Sequence, residues 1–208
     1  MELKSLILGL VFSFGAFAIK SGGGLAVLLI AAPTRSGKIF TCLGFSLGYA
    51  IVFAGAGFIL TQENLAAHLD LFQNMFASGM SLHFLLAFLL LIWGVSLQKS
   101  KPKQTSRAWI PLVVPCPVCF MVILLSCSFV NAVYPDQAFV FLALYSGFIL
   151  TSLTVAILFA AQIKDQARAH GFLGRLMLYI ALYFMLSVIV IPQFADLDKI
   201  YRISISPQ

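Results

Sequence analysis

Charged residues are scarce in this chain of 208 residues, since Asp, Glu, Lys and Arg together make up only 10% of it. Apolar residues reach 61%, and the mean hydropathy is +1.02. No stretch is long and polar enough to form a separate soluble domain. The composition is therefore typical of an integral membrane protein.

The motifs of soluble enzymes are also missing. The chain contains no nucleotide-binding, phosphate-cradling or catalytic-triad motif. Its three His residues have no spacing that suggests a metal site on one helix. We therefore predict that the protein is not an enzyme. The net charge of +6 is explained by membrane topology and anionic lipid, so no nucleic acid is expected as a partner.

Long apolar runs dominate the sequence. A hydrocarbon core of about 30 Å requires roughly 20 apolar residues per helix. Six runs of this kind span residues 5–32, 39–60, 81–97, 108–133, 137–161 and 172–191. The first run resembles a signal peptide, but it resumes at Leu25 and continues to Ala32, so we interpret it as a spanning helix. We predict an all-α integral membrane protein with six transmembrane helices, in contact with the lipid bilayer.

Lys and Arg are unevenly distributed between the two ends of these runs. The linker at residues 98–107 is strongly basic, whereas the predicted loops at 61–80 and 134–136 contain acids but no Lys or Arg. Cytoplasmic loops are enriched in Lys and Arg. This predicts a multi-pass protein of the cytoplasmic (inner) membrane with both termini on the non-cytoplasmic side.

Six helices divide naturally into two sets of three. Residues 1–98 and residues 108–208 flank the basic linker within a single membrane domain, 1–208. An odd number of helices per set forces the second set to insert upside down relative to the first. We therefore predict two inverted three-helix repeats, an inference from hydropathy because the sets share no residue-level identity.

Each set begins with an interrupted apolar run. Residues 20–24 read Lys-Ser-Gly-Gly-Gly, and residues 115–119 read Pro-Cys-Pro-Val-Cys. Glycines open a helix and prolines remove backbone donors, so helices 1 and 4 are predicted to be broken. Transporters use paired breaks to place binding groups at the bilayer midplane. The candidate substrate-binding residues are Lys20, Ser21, Gly22, Gly23, Gly24, Pro115, Pro117, Cys127 and Asn131.

Lys20 is predicted to face the bundle interior, because a Lys at the bilayer centre costs about 2.5 to 3.5 kcal/mol. Every Asp and Glu lies in a predicted loop or tail, so no intramembrane carboxylate is expected beside it. The remaining anions are a cysteine thiolate, a substrate or an acid on another subunit. The alternative is that Lys20 snorkels along a tilted helix to the interface.

Cys116 and Cys119 form a C-x-x-C pair near the membrane midplane. Such a pair binds a soft or borderline metal, cycles between dithiol and disulfide, or packs as two small hydrophobes. The pair is thus the candidate metal site, and a bound transition-metal ion is the only cofactor that the sequence indicates. If the protein is redox-active, the same two cysteines are the catalytic pair. Cys127 and Asn131 are predicted to continue a polar stripe from Cys116.

Three stretches carry a resemblance to a known family. Residues 3–9, Leu-Lys-Ser-Leu-Ile-Leu-Gly, together with residues 17–22 and 115–119, are similar to an uncharacterised predicted-transporter family of the LysE-type superfamily. That superfamily includes amino-acid and metal-ion exporters and the DsbD/CcdA thiol-disulfide conduits. The resemblance implies a small-solute or metal-ion transporter. It also implies a TolQ/ExbB-type proton channel as a partner, because neighbouring genes in the family sometimes encode one. A homo-oligomer is the alternative association.

The thiol conduits place one reactive cysteine in each broken helix, whereas this chain has Lys20 at the first position. We therefore predict a secondary-type transporter that binds a small solute, foremost a soft or borderline metal ion, at a midplane site. Cys116 and Cys119 would ligate it, and Lys20 with the glycine amides would balance its charge. The alternatives are a thiol-disulfide conduit through the same cysteines and an accessory subunit of a TolQ/ExbB-type complex.

Overall fold

The computed structural model describes residues 2–32, 34–62, 69–99, 109–133, 138–163 and 168–186. This part of the chain is almost entirely helical and contains no strand, which confirms the all-α prediction. The helices are α1 (Glu2–Ala31), α2 (Arg35–Gln62), α3 (Leu69–Lys99), α4 (Ile110–Val113), α5 (Pro117–Val133), α6 (Ala138–Gln162) and α7 (Arg168–Leu186).

Among the described residues, four helices are long and apolar enough to cross a membrane. The qualifying stretches lie in α1, α2, α6 and α7, and they span Val11–Ala31, Arg35–Leu60, Phe141–Gln162 and Arg168–Leu186. The described apolar stretches of α3 and α5 are shorter, Phe84–Lys99 and Cys119–Asn131. Each predicted run thus contains a helix, and the fourth contains two. The end of the sixth run, 187–191, and most of the basic linker lie outside the described residues.

Helix α3 begins well before the position that hydropathy indicates. Its first residue is Leu69, whereas the apolar run starts at residue 81. The prediction of a loop over residues 61–80 is therefore wrong for most of its length. Asp70 belongs to the first turn of a helix and not to a loop, because helix formation requires no apolar pattern once the chain continues into a long helix.

Helix α1 is continuous through Lys20 and the three glycines that follow it. The prediction that helix 1 is broken is wrong. In a continuous helix the backbone N–H groups of Gly22, Gly23 and Gly24 are used by the helix itself. The prediction that these N–H groups balance the charge of a bound solute is therefore wrong.

Close packing explains these glycines. A side-chain carbon on Gly22 would lie 2.6 Å from the carbonyl oxygen of Ser152 in α6, and one on Gly24 would lie 2.8 Å from Cγ2 of Val113 in α4. The intervening glycine packs in the same way against α7. Small residues let membrane helices approach this closely. The glycine run therefore places α1 at the centre of the bundle, where it packs most extensively on α6.

The predicted break in the fourth run is confirmed. Helix α4 ends at Val113, and α5 begins at Pro117. Between them Val114 has an extended backbone, with φ −72° and ψ 131°. Pro115 and Pro117 lack the N–H groups that a continuous helix would need, so the sequence enforces the interruption locally.

Aromatic rings fill the space between α1, α2 and α6. Neighbouring ring centroids lie 4.7 to 6.5 Å apart. The cluster comprises Phe14, Phe17, Phe45, Tyr49, Phe53 and Phe148. Rings at these separations interlock and restrict each other's rotation. The cluster thus packs α1, α2 and α6 against one another.

Candidate functional site

Lys20 is almost completely buried, with 1% of its surface exposed. It lies on α1, which contacts α2, α4, α5 and α6. The prediction that it faces the bundle interior is confirmed, and the alternative of snorkelling to an interface is wrong. The glycines that follow Lys20 bring the neighbouring helices close enough to enclose its side chain.

The Lys20 side chain ends at the break between α4 and α5. Its Nζ donates to the carbonyl oxygen of Val114 at 3.1 Å and lies 3.7 Å from Sγ of Cys119. The ring of Phe17 is 6.0 Å from the same nitrogen. An ammonium has three donors. Within the described part of the chain no carboxylate meets this one, and its third donor has no acceptor.

Two carbonyls of the break receive donors from other helices. In a continuous helix Val113 O would pair with the N–H of residue 117, but that residue is Pro117. The Tyr49 hydroxyl replaces it and donates to Val113 O at 2.6 Å. Lys20 does the same for Val114 O. The chain therefore satisfies these two consecutive carbonyls with one side chain from α2 and one from α1.

Cys116 stands at the N-cap of α5. Its Sγ accepts a hydrogen bond from the backbone N–H of Cys119 at 3.3 Å, and its carbonyl accepts one from Phe120 N at 3.0 Å. Pro117 occupies the first helical position, where its missing N–H costs nothing. All four cysteines are thiols. The cap thus holds both sulfurs of the C-x-x-C pair at one helix end, beside Lys20.

Comparison with known families adds one finding to this geometry. Residues 5–208 match the model of a family described as Predicted transporter (DUF2162). The chain belongs to this family. No curated protein and no solved structure matches the chain. Family and helices together establish a membrane protein of a predicted-transporter family; its relation to the LysE-type superfamily and to the DsbD/CcdA conduits stays a prediction.

For a member of a transporter family, the donor set at the break is informative. Cys116 and Cys119 supply two soft ligands. Among the described residues, no three or more His, Cys, Asp or Glu side chains lie together in a way that could hold a metal ion. The Lys20 ammonium at 3.7 Å from one sulfur repels a bare cation and attracts an anion. The site is therefore chemically suited to a solute that is thiophilic and brings negative charge.

Other predicted site residues occupy different environments. Ser21 donates to Phe17 O at 3.0 Å and meets Oγ of Ser152 at 3.2 Å, so it joins α1 to α6. Cys127 is fully buried, whereas Asn131 is exposed. Cys116 is the N-cap residue of α5, and the polar stripe from it through Cys127 and Asn131 stays a prediction.

The two prolines lie at the break as the sequence indicates. Pro115 is half-buried between α4 and α5, and Pro117 begins α5, although its side chain lies outside those that the structure describes. Both act on the backbone by removing N–H donors. Their contribution to the site is therefore to create acceptors, which other residues must fill.

Tyr49 is the site residue that sequence reasoning missed. The spacing of Cys42, Ser46 and Tyr49 indicates one face of α2, and helix packing explains such a face equally well. The decisive contact joins Tyr49 to Val113, which is 64 residues away. In the sequence, the one hint is a tyrosine hydroxyl within an apolar helix, together with prolines elsewhere in the chain that leave backbone carbonyls without donors.

Proposed function

We propose that this protein is a secondary-type transporter of a small solute, which binds at the break between α4 and α5. The proposal rests on Lys20, a charged side chain that is 1% exposed and whose ammonium lies at that break. Ionisable residues inside membrane bundles are costly and mark substrate or ion pathways. Cys116 and Cys119 complete the site, and movement of one half against the other exposes it to each side alternately.

The solute is a small, thiophilic species that carries negative charge. Two thiols provide soft ligands, and one ammonium compensates an anion. A soft metal ion fits this site when it arrives as a complex with anionic ligands. A bare divalent cation would meet repulsion from Lys20, whose Nζ is 3.7 Å from Cys119 Sγ.

Replacement of Lys20 distinguishes an anionic solute from a bare divalent cation, because it should change their binding in different directions. In Lys20→Met the site loses its positive charge but keeps both thiols. Binding of thiosulfate, a small soft anion that reports on the positive charge, is expected to fall at least about tenfold, which corresponds to about 1.4 kcal/mol. Binding of Cd²⁺ is expected to stay the same or strengthen, because the repulsion is gone. Isothermal titration of the anaerobically purified protein measures both.

Lys38→Met is the matched control, because it removes one Lys from an exposed position on α2. It should bind both probes as the wild type does. Equal thiosulfate binding by wild type and Lys20→Met would contradict the anion site. Elemental analysis of the wild type beside the Cys116→Ser, Cys119→Ser double variant adds a direct test: metal that copurifies with the wild type alone is bound by the two thiols.

The thiol-disulfide conduit is the second candidate, and one observation favours it. Cys116 Sγ caps α5 and accepts the N–H of Cys119, so both thiols of the pair lie at a helix N-terminus, where negative charge is stabilised. In this case Cys116→Ser should trap a mixed disulfide on Cys119 with a redox partner. Non-reducing electrophoresis followed by mass spectrometry detects it. Failure to trap any disulfide favours the transporter.

We further propose the arrangement in the membrane. The six predicted segments would form inverted repeats over 1–98 and 108–208, joined by the basic linker 98–107, with both termini on the non-cytoplasmic side of the cytoplasmic membrane. The charge asymmetry of the loops supports this orientation. Association with a TolQ/ExbB-type channel rests on the family resemblance, and a homo-oligomer is proposed as the alternative to it. Lys20 has partners within this chain without either.

A further inference from the structure

We infer that Tyr49 is a positioning residue of the proposed solute site, and that it acts through the Val113 carbonyl on the placement of Cys116 and Cys119. The inference rests on the proposed function for the purpose of the site, but the contact itself stands independently. Tyr49 touches neither sulfur through any contact described above. It holds the last carbonyl of α4, and the C-x-x-C pair begins three residues later.

The position of the Tyr49 hydroxyl is fixed by its ring. Tyr49 is 3% exposed, and its ring centroid lies 5.7 Å from that of Phe17, 4.7 Å from that of Phe45 and 4.7 Å from that of Phe148. Rings from three different helices therefore clamp it. A hydroxyl on such a ring points to one place, and here it meets Val113 O at 2.6 Å.

Two side chains donate hydrogen bonds to the break, and only Tyr49 has no proposed contact with the solute. Lys20 holds Val114 O, and Tyr49 holds Val113 O. When Lys20 turns toward an anionic solute, Val114 O loses its donor. Tyr49 then remains as the side chain that fixes the end of α4. The proposed site therefore needs Tyr49 so that the cysteines keep their place while Lys20 changes partners.

Thiol reactivity in the native, full-length protein tests this role. We compare wild type with Tyr49→Phe, which keeps the ring and removes the hydroxyl, and measure the rate at which N-ethylmaleimide labels each cysteine by peptide-resolved mass spectrometry. Loss of one buried hydrogen bond allows the break to open more often, and Cys119 is expected to label about five- to tenfold faster. Cys127, which is fully buried on the same helix, should keep its rate.

Tyr145→Phe is the matched control. Its hydroxyl also donates to a backbone carbonyl of another helix, that of Ser46 at 2.9 Å, but this carbonyl lies within the regular helix α2. Its removal should change neither Cys119 nor Cys127. The comparison thus isolates the contact at the break from the general loss of a Tyr hydroxyl.

Two results would overturn the inference. Cys119 labelling at the wild-type rate in Tyr49→Phe would show that the hydroxyl does not hold the break. Faster labelling of Cys119 and Cys127 together would show that Tyr49 supports the bundle as a whole. Neither result depends on transport: if Cys119 alone accelerates while thiosulfate binding ignores Lys20, the positioning role stands and the proposed function fails.

Discussion

At the scale of single residues, Lys20 is the side chain that costs most to bury in a membrane. A buried charge without partners is strongly unfavourable, and Lys20 is 1% exposed. It nevertheless has a carbonyl and a sulfur as partners, both supplied by the break. A charge that is only partly compensated in this way is what the proposed anion site requires.

Ser126 presents the opposite situation. It is 6% exposed, and its Oγ has no hydrogen-bond partner among the described residues. Other hydroxyls in these helices donate to a carbonyl of their own helix, as do Ser21, Thr41, Ser146, Thr151 and Thr154. An unpaired buried hydroxyl costs about 1 to 3 kcal/mol. Ser126 is therefore a local source of instability in α5.

Removal of this hydroxyl should not harm the protein. Ser126→Ala is expected to raise the free energy of unfolding by about 1 kcal/mol, because an unsatisfied polar group disappears. Thermal unfolding in detergent measures the shift. Ser152→Ala provides the contrast, since it removes a hydroxyl bonded to Ser21 and should lower stability by about 1 kcal/mol. A destabilised Ser126→Ala would mean that the hydroxyl has a partner after all.

At the scale of helices, α1 is organised by its glycines. Glycine in a helix costs about 1 kcal/mol relative to alanine, and α1 carries three in succession. The closeness of α6, α7 and α4 to this run compensates for the cost, because each glycine faces a different neighbour. The same run was predicted to open the helix, and its actual role is to let the bundle close around Lys20.

Alanine substitutions at two glycines should therefore have opposite consequences. In Gly22→Ala the new carbon would lie 2.6 Å from the Ser152 carbonyl, a backbone atom that is unable to move away cheaply. Overpacking of this kind costs about 1 to 3 kcal/mol, which exceeds the gain in helix propensity of about 1 kcal/mol. We expect a lower midpoint of thermal unfolding.

Gly44→Ala is the control for this substitution. Gly44 is exposed on α2, and a side-chain carbon there would meet nothing within 4 Å. Its replacement should leave the unfolding midpoint unchanged or raise it. If both variants unfolded at the wild-type temperature, the close approach of α1 to α6 would be incorrect.

At the scale of the whole molecule, large apolar side chains cover much of the described exterior, whereas the buried Lys20 and Ser21 make polar contacts in the interior. Phe40 and Ile51 on α2 are each 73% exposed, and Leu150 on α6 is 72% exposed. Such apolar surface is stable only against lipid or another protein. This distribution, together with the four long apolar helices, agrees with a protein embedded in a bilayer.

Reporter fusions test the proposed orientation. If both termini lie outside the cytoplasm, alkaline phosphatase fused after Gln208 is expected to be active in a bacterial host, and green fluorescent protein at the same position should be dark. The opposite pattern is expected for fusions within the basic linker, at Lys103. Fluorescence from the fusion after Gln208 would place this end in the cytoplasm. That result would contradict either the predicted six membrane crossings or the proposed orientation.

Local sequence was enough to predict the membrane-protein class, the approximate positions of the helices other than the start of α3, and the break before α5. Each of these follows from local chemistry: a spanning helix satisfies its own backbone groups, so hydropathy locates it, and prolines at 115 and 117 remove specific donors. The prediction failed at α1, because the same Gly residues serve an opened helix or a tightly packed one, and only their neighbours distinguish the two.

Tertiary structure alone decided what surrounds Lys20. Its partners Val114 and Cys119 lie 94 and 99 residues away, and the Tyr49 contact with Val113 spans 64. No local pattern encodes pairings across such distances, since they arise only when α1, α2 and α4 pack together. The sequence therefore predicts Lys20 and the C-x-x-C pair near the midplane of the bilayer, and the packing of the helices brings Lys20 and Cys119 together.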